Sequence, residues 1–147
     1  MRIRVVDALP DGVAEDWRGR SAKKKFRVTA ALVDRFAALS EDSSPLHVSD
    51  AAARSLGFQG RVVHGLLLAS LVSGLVGTEL PGERGVLQNV DLAFRNPCYL
   101  DDEVTAQVWV ADVIESVRTL IVKVRVERED GTLLVTGTFR SGLRERA

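Results

Sequence analysis

Residues 62–80 read VVHGLLLASLVSGLVGTEL, and this segment decides the fold. It is almost entirely apolar, but a histidine, several hydroxyl side chains and repeated glycines interrupt it, and Pro81-Gly82 ends it. Its uninterrupted apolar part is too short to span the ~30 Å hydrocarbon core of a bilayer. A helix that is apolar on all sides is instead expected to lie inside a folded domain. The segment therefore predicts a long central helix surrounded by protein.

β-Strands are predicted on the C-terminal side of this helix. β-Branched and aromatic residues are frequent in four segments, residues 86–94, 103–114, 117–128 and 132–143. Apolar and mostly polar residues alternate over residues 104–110 and again over residues 122–127, as expected of strands with one buried face. Turn signals such as Glu129-Asp130-Gly131 favour an antiparallel sheet. Such a sheet can bury its apolar face by wrapping around the central helix, so we predict an α+β fold of that kind.

The N-terminal half contributes shorter elements. Thr29 is a suitable N-cap for an amphipathic helix over residues 30–39. Ser49 can cap a second helix over residues 50–56, which precedes the central helix. Two short segments are predicted to add strand at the edge of the sheet, residues 2–6 and 25–28.

Length and composition limit what the chain can be. Its 147 residues fit one domain, residues 1–147, with a single core. Twenty basic and 20 acidic residues balance to zero net charge, so nothing favours nucleic acid or an anionic membrane surface as partner. The single cysteine, Cys98, excludes an intramolecular disulfide, and no secretory signal is apparent, so we expect a cytoplasmic protein. We also expect no metal or redox cofactor, because the sequence has neither a ligand cluster nor a glycine-rich dinucleotide fingerprint.

Candidate chemistry is concentrated in SEDSSPLHVSD, residues 40–50. Asp42 and His47 are separated by four residues that include Pro45, which lacks a backbone donor and favours a loop here. A turn of this kind can direct a carboxylate and an imidazole at one water molecule for general acid-base catalysis. The alternative is an Asx-type turn with a histidine satisfied by the backbone, and spacing alone leaves both open.

Gly65 adds a second element of the same chemistry. It begins the central helix, whose first turn has unpaired N–H groups and the favourable end of the helix dipole. Such an N–H can donate to an oxygen that gains negative charge, and glycine lets a ligand approach closely. An acid-base pair together with an oxyanion donor can add water to a carbon near a carbonyl, or remove it.

These motifs occur in an order that is recognisable. Asp42-x-x-Pro45-x-His47 is followed by FQGRVVHGL at residues 58–66, by LPG at residues 80–82, and by Phe94-x-x-Pro97 with DDEV at residues 101–104. The chain thus resembles the MaoC-like (R)-specific enoyl-CoA hydratases over most of its length. The resemblance implies a hot-dog fold, a homodimer with sheets joined edge to edge, and (R)-specific hydration of trans-2-enoyl thioesters or the reverse dehydration.

The resemblance also assigns roles. It implies that Asp42 and His47 activate water and that Gly65 donates to the thioester carbonyl. His64 precedes Gly65 and is expected to align the loop. The remaining substrate-binding candidates are Ser44 in the catalytic loop, Ser73 on the central helix, and Arg61 and Arg95 for coenzyme A phosphates.

Two residues depart from the family pattern. Ser44 stands where asparagine is common, and Glu41 stands where glycine is often found. Serine can still cap the turn, so the loop is expected to survive while the orientation of the catalytic pair is put in doubt.

Two other functions are consistent with a hot-dog domain, an acyl-CoA thioesterase and a non-catalytic acyl-binding subunit. The Asp-x-x-Pro-x-His loop argues against the first, and the presence of Asp42, His47 and Gly65 together argues against the second. The acyl group is expected on coenzyme A or on an acyl carrier protein, and the sequence leaves both open.

Overall fold

The computed structural model describes residues 17–144, so the strand predicted at residues 2–6 lies outside the described residues. The chain forms one five-stranded antiparallel sheet with helices on its inner side. The strands are β1 (Ser21–Arg27), β2 (Gly85–Phe94), β3 (Glu103–Ile114), β4 (Thr119–Arg128) and β5 (Leu133–Leu143). The α-helices are α1 (Ala30–Ser40), α2 (Pro45–Val48), α3 (Asp50–Ser55) and α4 (Gly65–Thr78).

The sheet has the strand order β1-β3-β4-β5-β2, so that among residues 17–144 β1 and β2 are its edge strands. The alternation predicted for the long strands is confirmed. Val104, Val108, Val122 and Val126 are buried on the inner face, whereas Gln107 is exposed. The valines of neighbouring strands therefore form a continuous apolar surface.

Helix α4 packs against this surface and contacts β1, β2 and β3. Its buried side includes Leu68, Val72 and Val76. The predicted hot-dog arrangement of a sheet around a central helix is thus confirmed. The expectation that the helix is surrounded on all sides is not confirmed, because a stripe of five residues is exposed in the single chain: Leu66, Ser70, Gly74, Gly77 and Thr78. Within residues 17–144, no helix combines the length and the hydropathy needed to cross a membrane.

The helices before α4 carry the predicted caps. Thr29 Oγ1 accepts from Leu32 N–H at 3.3 Å at the start of α1, and Ser49 Oγ accepts from Ala52 N–H at 3.2 Å at the start of α3. One local prediction is wrong, because residues 45–48 form a helical turn rather than a loop. Pro45 is tolerated there since the first helical residue needs no N–H partner.

Candidate active site

Asp42 and His47 face one another across the turn between α1 and α2. Asp42 Oδ2 lies 3.9 Å from His47 Nε2, and about half of the Asp42 side chain is exposed. The other carboxylate oxygen of Asp42 accepts from Ser44 N–H at 3.2 Å, so the Asx turn is also present. The turn therefore fixes the carboxylate by one oxygen and leaves the second directed at the histidine.

The second nitrogen of His47 is held by the backbone. His47 Nδ1 lies 2.6 Å from the carbonyl oxygen of Val62. Because a carbonyl oxygen only accepts, Nδ1 carries a proton, and in the neutral form of the ring the lone pair is therefore on Nε2. The alternative interpretation, in which the backbone satisfies His47, is therefore true of Nδ1 only. Nε2 can still accept a proton.

His64 contacts the same loop through a hydrogen bond to its backbone. It is 2% exposed, and its Nε2 lies 3.0 Å from the Asp42 carbonyl oxygen, so it donates to the backbone of the catalytic turn. Its ring stacks on the ring of His47, with the two ring centroids 3.8 Å apart. The ring of Phe36 lies on it at a tilt, with a centroid distance of 5.1 Å. The Nδ1 atom of His64 has no hydrogen-bond partner among the described residues. These contacts favour a positioning role for His64.

Asp42, His47 and His64 also place three possible metal-ligand atoms within 4.8 Å of one another. Both histidine Nε2 atoms face Asp42 Oδ2, at 3.9 Å from His47 and 4.0 Å from His64. His64 Nε2 also lies 3.0 Å from the Asp42 carbonyl oxygen, which can only accept, so this nitrogen carries a proton and has no lone pair for a metal ion. We therefore assign no metal ligand in this cluster.

Gly65 is the first residue of α4, where first-turn N–H groups lack intrahelical acceptors. A pocket of about 250 Å³ adjoins it and is lined in part by Phe94, Arg95, Pro97 and Cys98. A Cβ at position 65 would lie 2.8 Å from Phe94 Cε1, which is closer than atoms can approach without a shift. Only glycine therefore leaves this helix end open to the pocket in the observed geometry.

Burial, and to a smaller extent the nearby Asp102 carboxylate, raise the pKa of the Cys98 thiol to about 12. Cys98 is thus a neutral, buried thiol at the pocket wall. It contributes packing rather than a nucleophile.

The expectation that Arg61 meets coenzyme A phosphates is not supported by its placement. Its Nε donates to the His47 carbonyl at 2.6 Å, and a second guanidinium nitrogen lies 2.5 Å from Asp34 Oδ1. Its backbone N–H donates to Asp50 Oδ1 at 2.9 Å. The Arg61 side chain is 13% exposed, and its guanidinium group joins α1 to the catalytic turn.

The other predicted binding residues are distributed differently. Arg95 is exposed at the pocket mouth, where its Nε donates to Thr136 Oγ1 at 3.0 Å. Ser44 is exposed beside Asp42, and its side chain makes no capping hydrogen bond. Ser73 lies eight residues beyond Gly65, about 12 Å along the helix axis at 1.5 Å per residue. The structure therefore brings Arg95 and Ser44 to the site and leaves Ser73 at a distance from Gly65.

Three contributors to the site were missed at the sequence level. The Val62 carbonyl orients His47, Phe36 packs on His64, and Phe94 restricts position 65. A carbonyl group leaves no sequence signal because every residue has one. Phe36 lies within the amphipathic helix predicted over residues 30–39, where an aromatic residue indicates only an apolar face.

Comparison with known proteins relates this geometry to one family. Residues 17–132 match the model of the MaoC like domain. The (R)-specific enoyl-CoA hydratase of Aeromonas caviae is 43% identical over 119 residues, which cover 81% of this chain and 89% of that protein.

Other relatives include dehydratases and a solved structure. The mitochondrial 3-hydroxyacyl-[acyl-carrier-protein] dehydratase of Arabidopsis thaliana is 35% identical over 91 residues, covering 62% of this chain and 54% of that protein. The solved structure of an (R)-hydratase from A. caviae involved in PHA biosynthesis superposes with a TM-score of 0.82 at 37% identity, covering 97% of this chain and all of that one.

Proposed function

The chain belongs to the MaoC-like domain family, and from that membership we propose that it adds water to trans-2-enoyl thioesters to give (R)-3-hydroxyacyl thioesters, or removes it in reverse. It is a hydro-lyase. The observation that carries the proposal is the separation of 3.9 Å between Asp42 Oδ2 and His47 Nε2 beside the start of α4.

This separation is too long for a direct hydrogen bond and suits one water between the two groups, about 2.8 Å from each. His47 Nε2 accepts a proton from that water, while the Asp42 carboxylate orients it through the second proton. The water oxygen then bonds to C3 of the enoyl group, and the proton taken by the pair returns to C2. Because one pair on one face of the substrate handles both steps, the addition is syn.

The negative charge that develops during addition resides on the thioester oxygen. The N–H of Gly65 donates to that oxygen at the positive end of α4. The acyl thioester then lies along the pocket beside Phe94, with C3 above the catalytic pair. Gly65 thus stabilises the enolate-like transition state while Asp42 and His47 move the proton.

Crotonyl-CoA separates this function from its two alternatives. A hydratase lowers the enoyl absorbance and forms 3-hydroxybutyryl-CoA, a thioesterase releases free thiol, and a binding subunit does neither. The (R) configuration is tested by adding an (S)-specific 3-hydroxyacyl-CoA dehydrogenase with NAD⁺, which should yield no NADH. Thiol release at the rate of absorbance loss would refute the proposal.

The thioester carrier is either coenzyme A or an acyl carrier protein, and the exposed Arg95 at the pocket mouth is the candidate for its phosphates. Replacing Arg95 by Met should raise KM for crotonyl-CoA and leave KM for the phosphate-free N-acetylcysteamine thioester unchanged. Equal effects on both would remove Arg95 from the phosphate site.

The proposed assembly is a homodimer in which β2 strands pair edge to edge. Among the described residues β2 is a sheet edge, and it carries exposed Leu87 and Val90. Unpaired edges of this kind invite pairing with another strand. Sedimentation or light scattering should give twice the mass of one chain, and a monomer at micromolar concentration would refute the dimer.

We further propose that residues 1–147 act as one domain in the cytoplasm. The free thiol of Cys98 is consistent with a reducing compartment. Fractionation of the producing cells tests the location.

A further inference from the structure

The carbonyl that orients His47 belongs to a short extended segment held on both sides. Val62 N–H donates to the Leu46 carbonyl at 3.1 Å, and Val62 O accepts from His47. On the opposite side, Val63 N–H donates to the Cys98 carbonyl at 2.8 Å. The position of the Val62 carbonyl therefore depends on the loop that contains Cys98.

The ion pair between Asp102 and Arg128 holds that loop. Asp102 Oδ2 accepts from Tyr99 N–H at 2.9 Å and from Arg128 Nε at 2.9 Å. A terminal guanidinium nitrogen of Arg128 donates to the Pro97 carbonyl at 2.8 Å. Both charged side chains are largely buried, with 18% and 22% exposed, so solvent weakens these charge-assisted bonds little. Arg128 ends β4, and the loop is thereby attached to the sheet.

We propose that Asp102 and Arg128 are positioning residues for His47. They hold the loop of residues 97–99, the loop holds Val63, and the adjacent Val62 carbonyl then fixes the proton of His47 on Nδ1. Nε2 is left free to accept a proton from water. The effect on rate rests on the proposed function, whereas the tautomer is a property of the protein without substrate.

The tautomer can be measured directly, because the chain has only two histidines. Long-range ¹H–¹⁵N spectra at about pH 8, where neutral imidazole prevails, should show His47 protonated on Nδ1 and His64 protonated on Nε2. His47→Ala assigns the signals. In Arg128→Met and in Asp102→Asn, the His47 signals should shift towards the Nε2–H form. Hydration of crotonyl-CoA should fall by about tenfold to a hundredfold, as expected for a small displacement of a catalytic group.

Arg125→Met is the matched control. Arg125 lies on the same strand, is exposed, and pairs with Glu127 away from the loop. Its removal should leave both the tautomer and the rate unchanged. Arg128→Lys keeps the charge next to Asp102 but not the fork, and should recover part of the rate and of the Nδ1–H signal.

The outcomes are distinguishable. Folded Arg128→Met and Asp102→Asn with an unchanged His47 tautomer would overturn the inference, whatever their rate. If Arg128→Met does not fold, the His47 tautomer is measured in Arg128→Lys by the same spectrum, and an unchanged tautomer there would overturn the inference. A tautomer shift in a protein that hydrates no enoyl thioester would support the inference and refute the proposed function.

Discussion

Phe94 occupies the space that a side chain at Gly65 would need. A Cβ built at Gly65 lies 2.8 Å from Phe94 Cε1 and 2.9 Å from Cδ1. The last residue of β2 therefore lies directly against the first residue of α4. The contact ties the end of an edge strand to the helix end that we propose binds the thioester oxygen.

Gly65→Ala should displace this helix end and lower the rate constant kcat by roughly 10²–10³-fold, the cost typical of losing one oxyanion donor. Gly74→Ala is the control, since a Cβ there meets nothing within 4 Å on the same helix. It should leave kcat unchanged. Adding Phe94→Leu to Gly65→Ala should restore part of the rate. Full activity of Gly65→Ala would contradict the proposed oxyanion donor.

Glu41 ends α1 in the left-handed conformation, with φ 58° and ψ 13°. This conformation favours glycine, the residue often found here in the family, and costs other residues about 1 kcal/mol. Glu41→Gly should therefore raise the free energy of unfolding, measured by denaturant titration. Glu41→Gln removes the charge but keeps the side chain. If Glu41→Gln raises the free energy of unfolding as much as Glu41→Gly does, the charge of Glu41, and not its backbone strain, lowers the stability of the wild type.

Arg61 should affect the stability of the protein rather than its binding of substrate. Arg61→Met leaves the His47 carbonyl and the Asp34 carboxylate without their donor. The free energy of unfolding should fall by about 1–3 kcal/mol, the usual cost of breaking a partly buried charged hydrogen bond. KM for crotonyl-CoA should stay near the wild-type value. Arg35→Met, on the exposed side of α1, is the control. A rise in KM with an unchanged free energy of unfolding would instead indicate that Arg61 binds the coenzyme A phosphates.

We expect Cys98 to make the free energy of unfolding depend on pH. Burial raises the pKa of its thiol to about 12, whereas an unfolded cysteine ionises near ~8.5. Between these values the unfolded state loses a proton that the folded state keeps, so stability falls as pH rises through this window. The native thiol should be inert to Ellman's reagent at pH 8 and react after denaturation. Cys98→Ala should lose less stability between pH 8 and pH 10 than wild type, and an equal loss would contradict the buried, protonated thiol.

The periodicity of apolar residues in the sequence was sufficient to predict the long strands of the sheet. The alternation around Val108 and Val124 placed the inner face of the sheet correctly, because a period of two has one solution on a sheet with a buried face. The exposed stripe of α4 was not foreseen, since the residues on it are small or apolar and do not differ in pattern from the buried side.

The candidate site was foreseen in residue type and not in orientation. Spacing alone left a catalytic Asp42–His47 pair and an Asx turn both open, and the family resemblance favoured the pair. The structure places Asp42 Oδ2 3.9 Å from His47 Nε2. Sequence could not show that Arg61 turns inwards to the His47 carbonyl, because a guanidinium can donate to phosphate, carboxylate and carbonyl oxygens alike. Contacts made through main-chain atoms, such as that of the Val62 carbonyl, are set by tertiary structure alone.

The central claim is that Asp42 and His47 together activate water for addition to an enoyl thioester. The most direct measurement is the loss of enoyl absorbance with crotonyl-CoA and a longer trans-2-enoyl-CoA, for wild type, Asp42→Asn and His47→Ala. Asp112→Asn, an exposed carboxylate paired with Arg18, serves as the control. We expect both site variants to stay folded and to lose roughly 10²–10⁴-fold in rate, with the control unaffected. Wild-type turnover in either site variant would contradict the account.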